Sequence, residues 1–192
     1  MADDTGWYWG VVLRASPVDG LLRRIAQLEP PPGVNAQAVG TGHVTLFYAP
    51  LRGPGDDVAL AERIRPCAAV MEPFELELRG LGEFVSAHRV VAWLGVAEGV
   101  EKLRDLRSSI CAVDADNLPH SFHPHCTLAY GDDPESYARF RPALREAVSQ
   151  ARIRLRVDRI WIAGFPKGAH PARGLGYRLE VPLLGGAVPA SS

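Results

Sequence analysis

Two short stretches of this chain are alike: His43-Val44-Thr45-Leu46 and His125-Cys126-Thr127-Leu128. The chain holds six histidines and four threonines, and two of each fall in these H-x-T-L tetrads. One such tetrad would arise by chance in ~1% of chains of this composition and two in ~0.01%, so the pair carries weight that a single copy would not. Successive side chains of a strand face opposite ways. His43 and Thr45 therefore share one face, as do His125 and Thr127, while Val44, Leu46, Cys126 and Leu128 take the other. Two imidazoles and two hydroxyls converging on one cleft suit phosphodiester chemistry. A proton must reach the leaving oxygen and another must leave the attacking water, and histidine, with an ordinary pKa of about 6.5, does either near neutrality. The threonine hydroxyls would donate hydrogen bonds to the nonbridging phosphate oxygens, where charge builds up. The scheme needs no metal.

The elements that must position these residues read as alternating strands and helices. Strands are expected over 7–14, 43–48, 74–84, 89–96, 125–130, 153–165 and 176–184, and helices over 17–28, 57–70, 99–113 and 134–150. Residues 74–84 and 89–96 look like an antiparallel pair. Pro30-Pro31-Pro32-Gly33 breaks the chain into a loop, and residues 185–192 form a frayed small-residue tail. The order strand, helix, His-strand, helix, strand recurs in both halves. Phe74 follows His43 at nearly the interval by which Ile153 follows His125, so an internal duplication of topology is expected.

On these residues the chain resembles the two-histidine phosphoesterase superfamily, which includes the 2′-5′ RNA ligase-like proteins and cyclic nucleotide phosphodiesterases. The family signature is two H-x-[ST]-h tetrads about eighty residues apart, and here the interval from His43 to His125 is 82. Pro124 completes the P-H-x-T-L form that the second copy often takes. The resemblance implies a single bilobal α+β domain spanning 1–192, with pseudo-twofold-related antiparallel sheets flanked by helices around a central groove. It implies an enzyme that opens 2′,3′-cyclic phosphates, or cleaves and joins 2′-5′ linkages, in nucleotides or RNA ends. His125 would be the base and His43 the acid, with Thr45 and Thr127 beside them and no cofactor. The competing expectation is a nucleotide-binding module that keeps the groove without turnover. Both tetrads are intact, which favours activity.

Other residues are candidates for substrate contact. Phe47 shares strand parity with His43 and Thr45 and is expected to line the groove. Parity places Tyr130 on the buried face with Leu128 unless the strand bulges, in which case it could stack under the base. Arg152, Arg154 and Arg156 alternate with apolar residues and point in the histidines' sense. Arg154 and Arg156 could attract RNA phosphates, or pair with Glu75 and Glu77 instead. The loop 166–174 carries Lys167, His170 and Arg173 and could close over substrate. His120, His123 and His125 form an H-x-x-H-x-H cluster that lacks a carboxylate or thiolate at ligand spacing, so no metal site is expected. Cys126 points away from His125, which argues against a thiol nucleophile.

Composition bounds the rest. Hydrophobic residues at 47% and charged residues at 22% are those of a soluble globular protein, and a net charge of −1 gives no footprint for a DNA duplex. Three cysteines without CxxC spacing fit a reducing compartment. The acidic start Met1-Ala2-Asp3-Asp4 is unlike a targeting peptide, and the apolar runs are too short for a membrane span. A cytoplasmic monomer is the default expectation.

Overall fold

In the computed structural model, residues 7–49, 55–111, 122–166 and 170–186 are described. The strands are β1 (Trp7–Arg14), β2 (Val34–Ala36), β3 (His43–Ala49), β4 (Phe74–Val85), β5 (Val90–Glu98), β6 (His125–Gly131), β7 (Arg152–Val157), β8 (Arg159–Pro166) and β9 (Gly176–Pro182). The helices are α1 (Asp19–Gln27), α2 (Asp56–Ala69), α3 (Val100–Cys111) and α4 (Pro134–Val148), and a 3-10 turn, Ser16–Val18, leads into α1. Each helix buries one apolar stripe, such as Leu21, Leu22 and Ile25 in α1 or Leu103, Leu106 and Ile110 in α3. These stripes join the inward residues of the strands in one hydrophobic core.

The sheet is antiparallel, in the order β7-β4-β5-β6-β3-β1-β8-β9, with β2 added beside β6. It has two four-stranded arms, β6-β5-β4-β7 and β3-β1-β8-β9, joined where β3 meets β6 through the pair Val44–Cys126. Beyond that rung the same edge of β6 is taken by β2, which pairs at Ala129, Tyr130 and Gly131, so β3 and β6 touch only at their starts. The α+β class, the two related arms and the flanking helices agree with the expectation.

The chain path differs from the expected duplication in one respect. The segment 153–165 is not one strand. It breaks at Asp158, whose carbonyl accepts the Leu183 N–H, and β7 and β8 go to opposite arms. β4 and β7, matched by their intervals from the histidines, are direct partners in one arm. The counterpart of β4 in the other arm is β8, the third strand out from the junction. β2 is absent from the sequence expectation, because three residues after a proline run are too few to show a period.

Both histidine strands carry a β-bulge immediately after the tetrad threonine. On β3, Val12 pairs with Thr45 but Val11 with Phe47, which leaves Leu46 as the extra residue. On β6, Trp93 pairs with Thr127 but Ala92 with Ala129, which leaves Leu128 extra. Two consecutive residues then face inward: Leu46 and Phe47 on one strand, Leu128 and Ala129 on the other, all at most 3% exposed. The bulge carbonyls find partners outside the ladder. Arg107 Nε on α3 donates to the Leu46 carbonyl at 2.9 Å, and the Gln37 N–H donates to that of Leu128 at 2.8 Å. Arg107→Met should therefore cost on the order of 1–3 kcal/mol, the penalty of a buried carbonyl left unpaired. Urea unfolding would measure it, and an unchanged midpoint would rule out this bracing role.

Candidate active site

The rung Val44–Cys126 fixes the geometry of the site. Both residues are fully buried on the core face, so their neighbours in each strand face the other way. In the antiparallel register through that rung, His43 lies across from Thr127 and Thr45 across from His125. The two histidines occupy one diagonal of a four-residue square and the two threonines the other. A cleft of about 220 Å³ opens over it, lined by His43, Thr45, His125 and Thr127 together with Tyr48, Phe84, Val91 and Tyr130.

Both imidazoles are held in the same way. His43 Nδ1 lies 2.7 Å from the Thr41 carbonyl, and His125 Nδ1 lies 2.7 Å from the His123 carbonyl. A carbonyl only accepts, so each Nδ1 carries the hydrogen and each Nε2 is left for the cleft. Gln37, 1% exposed, ties the two motifs together. Its backbone N–H caps the Leu128 bulge, and its side-chain amide donates to Thr41 Oγ1 at 2.7 Å, steadying the turn whose carbonyl holds His43.

Burial lowers the His43 pKa below its ordinary value; the bond to Thr41 opposes this and the His125 charge adds to it. Burial likewise lowers that of His125, against the bond to His123 and with the charge of the His123 ring. Both rings are thus biased toward the neutral form at pH 7. Cys126 is fully buried on the opposite face, and burial pushes its thiol up to about 12, which leaves no thiolate to act.

The bulges decide which aromatics reach the cleft. Parity without a bulge places Phe47 there, and this expectation is corrected: Phe47 is 3% exposed, in the core. Tyr48 takes the place, with 57% of its surface exposed at the mouth. The same shift brings Tyr130 into the cleft lining, the outcome reserved for a bulged strand. Each motif therefore extends to H-x-T-L-x-Y, and the tyrosine at the sixth position of both copies was the signal that parity alone overlooked. Burial pushes the Tyr130 hydroxyl up to about 12, with a hydrogen bond to Thr127 in opposition.

Around Tyr130, Asp132 gathers three elements. It accepts from Arg89 Nε at 2.6 Å, from His170 Nε2 at 2.7 Å and from Asn35 Nδ2 at 3.0 Å. Its partial burial works against the charge, but the bonds from His170 and Arg89 outweigh that and hold the carboxyl below its usual range. His170 Nδ1 accepts the Ala172 N–H, so Nε2 is the donor to Asp132. His170 packs edge-on to Tyr130 at 5.2 Å. His170 thus packs against a residue of the cleft lining, while Lys167 lies outside the described residues and Arg173 lines a separate hollow.

Beside His125 stands an aromatic wall that the sequence did not reveal. Phe84 lies 4.9 Å from the His125 ring, and Trp93 lies 5.1 Å from Phe84 and 4.7 Å from His123. Gly82 makes room for it, because a Cβ there would run into the Trp93 indole. His123 is part of this wall; His120 lies outside the described residues. Among the described residues no three His, Cys, Asp or Glu side chains are grouped as metal ligands, and no helix is long and apolar enough to cross a membrane.

The arginines of β7 do not line the cleft. Arg156 pairs with Glu75 at 3.3 Å and Arg154 approaches Glu77 at 3.6 Å, the alternative recognised for them in the sequence. β7 is the end strand of its arm, four positions from β3, and none of its arginines is among the residues that line the cleft.

A two-armed antiparallel sheet with one H-x-T tetrad from each arm on a shared cleft is the architecture of the two-histidine phosphoesterases. The model of the 2′-5′ RNA ligase superfamily matches residues 17–167, and the chain belongs to that family. Among solved structures it is similar to Escherichia coli LigT in complex with 3′-AMP, at 18% identity and TM-score 0.65 over 93% of this chain and 98% of that one. It is also similar to the Thermus thermophilus protein TT0787, at 19% identity and TM-score 0.61 over 93% and 97%. Kluyveromyces marxianus Usb1 with uridine monophosphate shares the fold at 12% identity and TM-score 0.50 over 94% and 100%. Among curated protein sequences none matches the chain.

Because burial outweighs the carbonyl bond at each Nδ1, both rings should titrate below 6.5 and stand as the Nδ1–H tautomer when neutral. Replacing His125 by Ala should move the His43 midpoint upward, since a like charge is removed. Long-range ¹H–¹⁵N spectra across pH 4–8 report both tautomer and midpoint; an Nε2–H tautomer in either ring would contradict the geometry.

Proposed function

We propose that the chain is a metal-independent phosphodiesterase that opens 2′,3′-cyclic phosphates, or cleaves and joins 2′-5′ linkages, at the ends of nucleotides or RNA. The observation that carries this reading is the square of His43, Thr45, His125 and Thr127 on one cleft, with each Nδ1 bonded to a carbonyl and each Nε2 without a hydrogen-bond partner among the described residues. In hydrolysis, His125 takes a proton from water as its oxygen bonds to phosphorus. His43 gives a proton to the ribose oxygen as that P–O bond breaks. The threonine hydroxyls donate to the nonbridging oxygens, whose charge grows in the transition state. After turnover the proton sits on the other ring, so the pair serves the reverse reaction with roles exchanged.

The starting state needs one proton shared by two rings whose pKa values burial has lowered. The pair titrates as a unit, so kcat/KM should be bell-shaped. With both free-enzyme values below 6.5, its alkaline limb should begin to fall before neutrality and its maximum should lie on the acid side. A maximum at or above pH 7.5 would contradict the lowered values.

The direct test is hydrolysis of a 2′,3′-cyclic nucleotide in excess EDTA. His43→Ala and His125→Ala should each lose on the order of 10²–10⁴ in kcat, and the double variant little more than the worse single one. Activity that requires added zinc would replace the acid/base reading with a metal site. Nucleotide binding without product, in the wild-type protein and at every pH, would identify a binding module instead.

A further inference from the structure

The two histidines share a backbone frame but not their neighbours. Across the ladder from His125 stands Gly95, and the next position on that face carries Trp93. Across from His43 stands Arg14, exposed on the same face as the imidazole. Its guanidinium carbon lies 4.9 Å from the Tyr177 ring centre and 5.9 Å from that of Trp161. The Tyr177 hydroxyl donates to the carbonyl of Gly42, the residue before His43, at 2.8 Å. The arginine is thereby held over a ring that is anchored to the histidine strand.

Arg14 makes no ion pair with a carboxylate among the described residues. It also lines a second hollow of about 260 Å³, with Ser16, Arg156, Asp158, Arg159 and Trp161. The other two arginines there are engaged. Arg156 pairs with Glu75, and Arg159 pairs with Asp158 at 2.9 Å and Glu180 at 2.8 Å. Among the described residues Arg14 is therefore a cation without a carboxylate partner, across the ladder from His43 and on the wall of this hollow. A guanidinium held over aromatic rings by cation–π attraction still has N–H donors to offer to two oxygens of one phosphate.

Resting on the function proposed above, we propose that Arg14 is the subsite for a second phosphate, the one next to the reacting phosphate in the substrate. The class of ligand is a nucleotide that carries a further phosphate or phosphodiester, as an RNA end does and a lone cyclic mononucleoside does not. The cleft then has a direction. The further phosphate lies on the His43 side over Arg14, and the apolar part of the substrate lies on the His125 side against Phe84 and Trp93.

The test compares three substrates in wild type and Arg14→Gln: a nucleoside 2′,3′-cyclic phosphate, the same compound with a 5′-phosphate, and a dinucleotide ending in a 2′,3′-cyclic phosphate. In wild type the second phosphate should raise kcat/KM about tenfold to a hundredfold, as one charge-assisted contact does. In Arg14→Gln that ratio should fall to near one, while Arg14→Lys, with the charge but not the planar fork, keeps part of it. A ratio of one in wild type overturns the proposal, and so does a ratio that survives in Arg14→Gln. Gain with the dinucleotide alone would mean that the base, not the phosphate, is recognised, and would overturn it too. Arg173→Gln removes a charge at the separate hollow and should leave the ratio intact; an equal collapse would make the preference one of net charge and overturn the subsite. If wild type turns over none of the three, the functional reading fails and the subsite is judged by binding. Nucleoside 3′,5′-bisphosphate should bind wild type more tightly than the 3′-monophosphate and bind Arg14→Gln equally, and equal binding to wild type would overturn the subsite.

Discussion

One backbone rung, Val44 against Cys126, makes neighbours of residues 82 positions apart. Both side chains are fully buried, so the rung is held by the core while the residues on either side of it are turned toward the cleft. Had β3 and β6 paired along their full length, the two tetrads would lie in the middle of an ordinary sheet. β2 prevents this by taking the rest of that edge of β6, and β3 continues instead along β1. The strands meet only at their first residues, and both tetrads begin there. Chain connectivity follows from the same requirement. The polypeptide passes from one arm to the other at α2 and back at Asp158, so β4 to β7 build one arm in sequence while the other joins β1 and β3 from the start of the chain to β8 and β9 from its end. Only the arm of β4 to β7 is a contiguous piece of chain.

The bulges are the second constraint, and magnitudes say why they persist. A bulge forfeits about one ladder hydrogen bond, a net of roughly 0.5–1.5 kcal/mol. In return Leu46 and Phe47 both enter the core, where a regular strand would have exposed one of them, and fully burying such a side chain contributes roughly 1.5–3 kcal/mol. The freed carbonyl of Leu46 is met by Arg107, so even the lost bond is largely replaced. On β6 the inward pair is Leu128 and Ala129, and the Gln37 N–H does what Arg107 does on β3. The consequence reaches the site: after the phase shift Tyr48 and Tyr130 stand on the same face as the histidines. Sequence periodicity cannot be read across a bulge, because its sign reverses there.

This explains which parts of the molecule could be read from the sequence. The α+β class and most of the element order follow from local patterns of a few to a dozen or so residues, whereas the convergence of the two tetrads was legible only through their repetition. The placement of Phe47 failed because its parity was counted through Leu46. The single strand over 153–165 failed because it was read through Asp158-Arg159, where the apolar alternation shifts phase between Val157 and Ile160 and the chain changes arm. Arg154 and Arg156 were ambiguous for a sound reason: whether an arginine faces a substrate or a glutamate depends on the register of β4 with β7, a long-range quantity. Gln37 could not have been singled out at all, since its task is defined by two partners, Thr41 nearby and Leu128 across the fold.

A symmetric pair of bases must still do asymmetric work, one giving a proton and the other taking it. Their own hydrogen bonds do not distinguish them: both Nδ1 atoms are bonded to a carbonyl two residues upstream at 2.7 Å, and burial lowers both pKa values. In the proposed reaction, with one proton between two like rings, the ring that holds it productively is the one beside the leaving oxygen. The orientation of the substrate therefore assigns the roles. What differs between the two ends of the cleft is the flanking chemistry, a cation held over an aromatic ring next to His43 and an aromatic wall next to His125. That difference, and not the histidines, would decide which ribose oxygen meets which imidazole. It would also decide which of two regioisomeric phosphates the cleft releases.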